Sequence, residues 1–221
     1  MLYIVSTPIG NLEDMTLRAI RILKEVDLIA AEDTRHAQIL LQKYEIKNQI
    51  TSYHSYSNDF KLKQIVEMLV AGKNVALISD AGTPGISDPA YTLVRAAIEA
   101  GVQIVPIPGA SALLSAIVMS GKPMHQFVYL GFLPIKKGRQ TLLKALASED
   151  KTIVIYEAPH RIMKTLSDLK EYLGDRDISV CREITKIYEE TLRCKISEAI
   201  EHFTQKAPRG EFVLVIQGNQ D

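Results

Sequence analysis

The chain has 221 residues, 47% of them hydrophobic, which is enough for one large or two small domains and too apolar for disorder. Its 26 basic residues balance 26 acidic ones, so bulk charge excludes a generic polyanion binder and leaves only a local basic patch for such a role. The second half is only slightly basic.

Short apolar runs alternate with helical patterns through the first half. Predicted strands are 2–5, 28–31, a weaker one near 50–52, 75–78 and 102–107; predicted helices are 16–26, 35–44, 60–71, 89–100 and 111–118. In the first helix Leu17, Ile20, Leu23 and Val26 recur every three residues and are expected to form the buried face. Thr16 and Ser111 are candidate N-caps, and Pro89 stands where a first-turn proline belongs. Such alternation predicts a parallel α/β domain over 1–118.

Residues 119–126, MSGKPMHQ, break the pattern and read as an inter-domain linker. Beyond them come predicted strands at 127–131, 152–156, 178–181, 188–194 and 212–217, with helices at 139–147, 162–173 and 197–203. Fewer crossover helices per strand predict a mixed sheet in a second α/β domain over 119–221. The fold class is therefore α/β with two domains.

The N-terminus MLYIVSTPIG lacks the basic lead and long apolar core of a signal peptide, and no apolar run approaches the ~20 residues of a membrane helix. Two cysteines without CxxC spacing, Cys181 and Cys194, read as reduced and buried. These features predict a cytoplasmic protein with no membrane contact.

The punctuated loops follow the predicted strands. TPIGN (7–11) follows the first, AEDTR (31–35) the second, SDAGTPGISD (79–88) the fourth and PIPGASA (106–112) the fifth. In an open parallel sheet the strand ends share one edge, where ligands bind. Gly- and Pro-rich turn chemistry alone does not explain the charge cluster in AEDTR or a ten-residue loop. That long loop holds no Lys or Arg, which argues for a zwitterionic or cationic ligand instead of a phosphate.

Absences narrow the chemistry further. There is no GxGxxG after the first strand, no GxxxxGK[ST] and no Gly-x-Ser-x-Gly elbow, against dinucleotide binding, NTP hydrolysis and acyl hydrolysis respectively. The five histidines lack metal-ligand spacing, so no metal is expected. His36 and His202 read as surface residues; His54 in its polar loop is either functional or solvated. In AEDTR, Glu32, Asp33 and Arg35 are open to two readings. One is a helix start stabilised by acidic residues near its dipole. The other is a carboxylate that accepts a substrate proton while Arg35 grips a phosphate. In the second half PIKKGR (134–139) is a basic turn, and from Leu133 to Lys164 there are seven basic and three acidic residues. That is either a solvated face or a phosphodiester contact. YEAPHR, CREITK and PRGE place polar residues at strand ends again and would form the opposite wall of a cleft.

TPIGNLEDMTLRA, DLIAAEDTR, SDAGTPGISDP, PIPGASA, GFLP, YEAPHR, REITK and RGE, in this order and spacing, resemble the ribosomal-RNA-modifying branch of the tetrapyrrole methylase (class III) superfamily of S-adenosylmethionine-dependent methyltransferases. The likeness runs from Leu2 to about Gly218. AAEDTR with SDAGTPxxxDP marks the branch, whereas PGASA alone marks only the superfamily. One mild departure is SDPAY, where relatives commonly carry Gly after the Pro.

The resemblance implies two α/β domains with S-adenosylmethionine in a cleft between them. It implies methylation of the ribose 2′-hydroxyl of a cytidine in the decoding region of 16S ribosomal RNA, in the small ribosomal subunit, by a homodimer. By matching position, Thr83, Pro84 and Ile86 would line the donor's methionine end, with Asp80 and Gly82 in the same loop. Ser111 and Ala112 would meet the nucleoside, and Pro8 would close the floor. Backbone near Tyr156, Arg182 and Gly210 would contact the donor from the second domain. Glu32, Asp33, Arg35, His54 and Arg139 would face RNA, joined by Lys136 and Lys137 of the basic turn. Asp33 or Glu32 would serve as base, with Arg35 on a phosphate. Two rivals stand beside this reading. One is a small-molecule methyltransferase of the superfamily, acting on a tetrapyrrole or on a modified histidine of elongation factor 2. The other is a non-catalytic ribosome assembly factor.

Overall fold

A computed structural model describes residues 1–54, 59–88 and 90–220. The chain forms two units, Met1–Ser111 and Ala112–Asp221. Pro89, the expected first-turn proline, lies outside the described residues.

In the first unit β1 (Leu2–Val5), β2 (Leu28–Ala31), β3 (Ile50–Ser52), β4 (Val75–Ile78) and β5 (Ile104–Ile107) form one parallel sheet in the order β3-β2-β4-β1-β5. β2 and β4 are short runs buried along their whole length, as interior parallel strands covered on both faces must be. Side chains alternate between two cores. Val5, Ile29, Ala31, Ala76 and Ile78 pack with α1 (Leu17–Glu25) and α2 (Thr34–Lys43). Leu2, Leu28, Ala30, Val75 and Leu77 pack with α3 (Asp59–Val70) and α4 (Ala90–Glu99).

This division locates a functional edge. β1 and β2 send their helices to one face, β3 and β4 to the other. Because β4 lies between β1 and β2, its exit loop diverges from both neighbours. Such a reversal opens the crevice at the carboxyl ends of strands in which α/β sheets hold ligands.

Thr16 caps α1 as expected, its Oγ1 accepting from Ala19 N at 3.1 Å. The expected buried face is corrected, however. Leu17 is 87% exposed, and Ala19, Ile22 and Leu23 are the buried residues. Strict three-residue spacing precesses by about 60° per step, so Leu17 and Val26 end on opposite sides of the helix.

The second unit contains α5 (Ala112–Ser120), β6 (Phe127–Phe132), α6 (Arg139–Leu146), β7 (Thr152–Glu157), α7 (Ile162–Leu173), β8 (Asp177–Arg182), β9 (Glu190–Lys195), α8 (Ile196–Gln205) and β10 (Phe212–Ile216). Its sheet runs β6-β7-β10-β8-β9, with only β6 and β7 parallel, and is mixed as expected. Ile153, Ile155, Ile178, Val180, Leu214 and Ile216 form one core with α6, α7 and α8. α5 packs against β8, β9 and β10.

The expected boundary at residue 118 differs from the observed one, because α5 belongs to the second unit. It buries Leu113, Ala116 and Ile117, and Ser179 Oγ donates to Ser120 O at 2.8 Å. The Gly and Pro of 119–126 mark a turn within that unit. Cys181 is buried as expected, whereas Cys194 is only half-buried; both are free thiols. Among the described residues no helix is long and apolar enough to cross a membrane.

Candidate active site at the carboxyl edge of the first sheet

Three loops are knitted together beside β1 and β4. Thr7 N donates to Gly82 O at 2.9 Å and Gly82 N to Thr7 O at 3.1 Å, a single antiparallel bridge between loops that leave parallel strands. Thr7 Oγ1 donates to Ser79 O at 3.1 Å, and Ser6 Oγ lies 2.9 Å from Thr83 Oγ1. Gly82 has φ +77°, a left-handed conformation that disfavours any side chain, and a Cβ there would stand 3.3 Å from Ile9 Cγ2. At Gly109, after β5, a Cβ would fall 2.8 Å from the Ser6 Cβ, so only glycine lets this loop approach β1. Pro8 and Pro84 are buried, fixing the backbone on either side. Asp88 closes the long loop, its Oδ1 accepting from Gly85 N at 2.8 Å and Ala90 N at 3.0 Å at the start of α4. Between these fixed points Asp80 and Gly85 to Ser87 are exposed, with Ile86 at the rim.

Carboxylates gather where β2 and β4 exit. Asp80 Oδ1 accepts from Asp33 N at 3.0 Å and so bridges the two loops. Asp33 caps α2 by accepting from Arg35 N at 2.8 Å, and the same carboxylate takes Arg35 Nη2 at 2.6 Å and Nε at 3.1 Å. These bonds from Arg35 hold the Asp33 carboxyl well below the usual carboxylate range. Glu32 is the opposite case. Burial pushes its carboxyl up, the negative charges of Asp80 and Asp88 add to the rise, and the Asp80 N–H and His54 oppose it. Glu32 also lines a cavity of about 10 Å³ with Tyr53, Pro84 and Asp88, room for about one water molecule. The carboxyls of these adjacent residues are thus shifted in opposite directions. Of the two candidate bases, the half-buried Glu32 is shifted toward higher proton affinity, while Asp33 is committed to Arg35.

Of the predicted site residues, Pro8, Glu32, Asp33, Asp80, Gly82, Thr83, Pro84, Ile86 and Ser111 lie on loops at this edge, Arg35 is in the first turn of α2, and His54 follows β3 there. Ala112 opens α5 in the second unit. In that unit Tyr156 lies on β7, edge-on to Tyr129 at 5.2 Å and Phe132 at 5.9 Å, and burial raises its hydroxyl. Arg182 ends β8, its Nε 3.0 Å from Glu190 Oε2 but not aligned as a hydrogen bond. Gly210 packs against the Glu183 carboxyl. Lys136 and Lys137 are exposed.

Arg139 requires a correction. Expected to face RNA, it is 5% exposed and its guanidinium is held inside the unit by Asp168, Thr165 and Pro134 O. Thr7, Asp88 and Gly109 were not singled out from the sequence. The Asp-Pro step after a long loop was the available signal for Asp88 as a cap. A recess of about 570 Å³ at the opposite, amino edge, lined by Asp27, Lys47, Asn48, Gln49, Met68 and Lys73, has no such convergence of loops.

Residues 1–200 match the family model of tetrapyrrole (corrin/porphyrin) methylases. The chain belongs to this family. Three similar relatives carry the name ribosomal RNA small subunit methyltransferase I. The Synechocystis protein is 51% identical over 99% of this chain and 79% of its own length. The Thermotoga maritima protein is 48% identical over 99% of both, and the Bacillus subtilis protein 49% identical over 100% of this chain and 76% of its own. Among solved structures, diphthine synthase superposes with a TM-score of 0.76 at 14% identity, covering 98% of this chain and 89% of that one. Cobalt precorrin-4 methyltransferase gives 0.72 at 16%, covering 98% and 94%. At such identities these two show the fold alone. As a tetrapyrrole methylase the chain is a methyltransferase, and methylases of this family draw the methyl group from S-adenosylmethionine.

The edge fits such a group. A sulfonium donor is cationic at sulfur, and the crevice beside β4 presents Glu32, Asp80 and Asp88 with no lysine or arginine in residues 79–88. Glycine at 82 and 109 lets the loops after β4 and β5 close against Ile9 and Ser6, which fixes the backbone that borders the crevice.

Proposed function

We propose that this protein methylates the ribose 2′-hydroxyl of a cytidine in 16S ribosomal RNA within the small subunit, using S-adenosylmethionine, in the cytoplasm. The observation that carries this reading is the 48% identity to the Thermotoga maritima enzyme over 99% of both chains, far above the likeness to tetrapyrrole-acting structures. The donor, when bound, supplies an electrophilic methyl group on a positively charged sulfur.

The residues of the chain do the rest. The loop closed by Asp88 and the bridge from Thr7 to Gly82 hold a rigid floor, so that binding spends little energy on ordering it. Thr83, Pro84, Ile86 and Ser111, with Pro8 beneath, are the proposed donor contacts of this edge; Ala112, Tyr156, Arg182 and Gly210 are those of the second unit. Glu32 accepts the proton of the ribose hydroxyl as the oxygen attacks, since a neutral hydroxyl is a poor nucleophile near pH 7. Asp33 orients Arg35, whose side chain is 87% exposed and free to reach an RNA phosphate with Nη1. His54, Lys136 and Lys137 complete the proposed RNA contacts. Alignment of the 2′-oxygen about 3 Å from the methyl carbon supplies much of the acceleration.

The resemblance also supports pairing with a second copy of the chain, to be read by sedimentation at micromolar concentration. The function is tested by offering tritiated donor with small subunits or with uroporphyrinogen. Label in the subunits alone supports the proposal, and label in the tetrapyrrole overturns it.

A further inference from the structure

The basic turn at 134–138, between β6 and α6, is held from beneath by a buried lattice of charge. Two carbonyls at its entrance each receive a guanidinium: Leu133 O accepts from Arg161 Nη2 at 2.5 Å, and Pro134 O from Arg139 Nη1 at 3.1 Å. The two arginines are joined behind the turn. Arg161 Nε lies 3.2 Å from Glu157 Oε1, and Glu157 Oε2 accepts from Thr165 Oγ1 at 2.5 Å. Thr165 Oγ1 in turn accepts from Arg139 Nη2 at 2.9 Å, while Arg139 Nε donates to Asp168 Oδ2 at 2.8 Å. Glu157, Thr165 and Arg139 are all almost fully buried.

Two features make this more than packing. Burying two ion pairs is a poor way to gain stability, since apolar residues of similar volume hold a core at least as well. What charged forks do supply is fixed geometry, because one guanidinium places several acceptors at set angles and a lysine cannot. The lattice also consumes its own charge. Arg139 is matched by Asp168 and Arg161 by Glu157, leaving Lys136 and Lys137 exposed, with neither in an ion pair among the described residues.

We infer that Glu157, Arg161, Thr165 and Arg139 are positioning residues that fix the turn so that Lys136 and Lys137 meet adjacent RNA phosphates in one geometry. Thr165 is the joint, the single hydroxyl through which the two arginine arms are coupled. The inference rests on the proposed reading of the turn as an RNA contact.

The experiment measures affinity of the purified protein for small ribosomal subunits across a salt series, with donor affinity by calorimetry and melting temperature recorded for each variant. Each phosphate contact contributes roughly 0.7–0.9 to the slope of log affinity against log salt, so K136A/K137A is expected to flatten it by about 1.4–1.8. Thr165→Val, which keeps shape and removes the joint, is expected to weaken subunit binding three- to tenfold and flatten the slope part-way, with donor affinity unchanged. Thr165→Ser should restore binding, and Arg139→Lys, which keeps the charge but not the fork, should behave like Thr165→Val. In the K136A/K137A background Thr165→Val should add no further loss. If K136A/K137A leaves the slope intact, the turn does not touch RNA and the reading beneath the inference fails. If K136A/K137A flattens the slope but Thr165→Val and Arg139→Lys change only the melting temperature, or weaken binding equally with and without the lysines, the positioning inference alone is overturned.

Discussion

Replacing Glu32 by Gln removes a base while keeping shape and the ability to accept from the Asp80 N–H. Base catalysis contributes roughly 10²- to 10⁴-fold. At 1.36 kcal/mol per factor of ten, the single-turnover barrier should therefore rise by about 2.7–5.4 kcal/mol. The pH profile separates this from mere disruption. In the wild type, single-turnover methylation should climb tenfold per pH unit while Glu32 is protonated and then level off. Burial, with Asp80 and Asp88, moves that limb to higher pH than an ordinary glutamate would give. In Glu32→Gln the limb should vanish. Stability runs in the opposite direction. A carboxyl raised in the folded state favours the protonated fold, so its contribution is present below the ordinary glutamate pKa and lost as pH rises through the raised value. Glu32→Gln should accordingly melt no lower than the wild type at pH 8. Asp33→Asn is the contrast: its carboxyl stays ionised through the assay range, so the limb should survive while KM for subunits rises as Arg35 loses its anchor. A Glu32→Gln rate within threefold of wild type with the limb intact, or loss of the limb in Asp33→Asn, would refute this assignment.

Gly109→Ala forces a Cβ to within 2.8 Å of the Ser6 Cβ, which should cost about 1–3 kcal/mol and weaken donor binding at least tenfold by calorimetry. Unchanged affinity would detach this loop from the donor site. Leu214→Ala hollows the fully buried centre of β10 and should lower unfolding free energy by about 2–5 kcal/mol in urea; a loss under 1 kcal/mol would contradict the packing described. Lys73→Ala removes a 2.9 Å pair with Asp27 at the solvent-facing amino edge and should change stability and methylation little, within about 0.5 kcal/mol. A tenfold loss of activity would give the recess there a role.

The strand ends and the crowded edge of the first unit were legible because interior parallel strands must be continuous apolar runs, and loops that break them with Gly, Pro and Asp stand out at once. Four such loops sufficed to place the edge without knowing strand order. The position of β4 between β1 and β2 was not legible, since it depends on pairings between residues some 45 to 75 apart in sequence. Local spacing also misplaced Leu17, where regular recurrence of apolar residues outran the helical period. Arg139 was misjudged for another reason. A basic turn looks solvated until Asp168 and Thr165, almost thirty residues onward, are known to lie beneath it. Likewise the sequence left Glu32 and Asp33 equivalent as bases. Only the reach of the Arg35 side chain and the neighbouring carboxylates Asp80 and Asp88 separated them.

The central claim is that the crevice beside β4 delivers a methyl group to ribose in the small subunit. It is tested most directly by incubating the protein and labelled S-adenosylmethionine with unmodified small subunits, then digesting the RNA and locating the label by mass. The expected result is one 2′-O-methylcytidine in 16S RNA, formed roughly 10²- to 10⁴-fold more slowly with Glu32→Gln. Label on a base, on ribosomal protein, or nowhere in the presence of bound donor would contradict it.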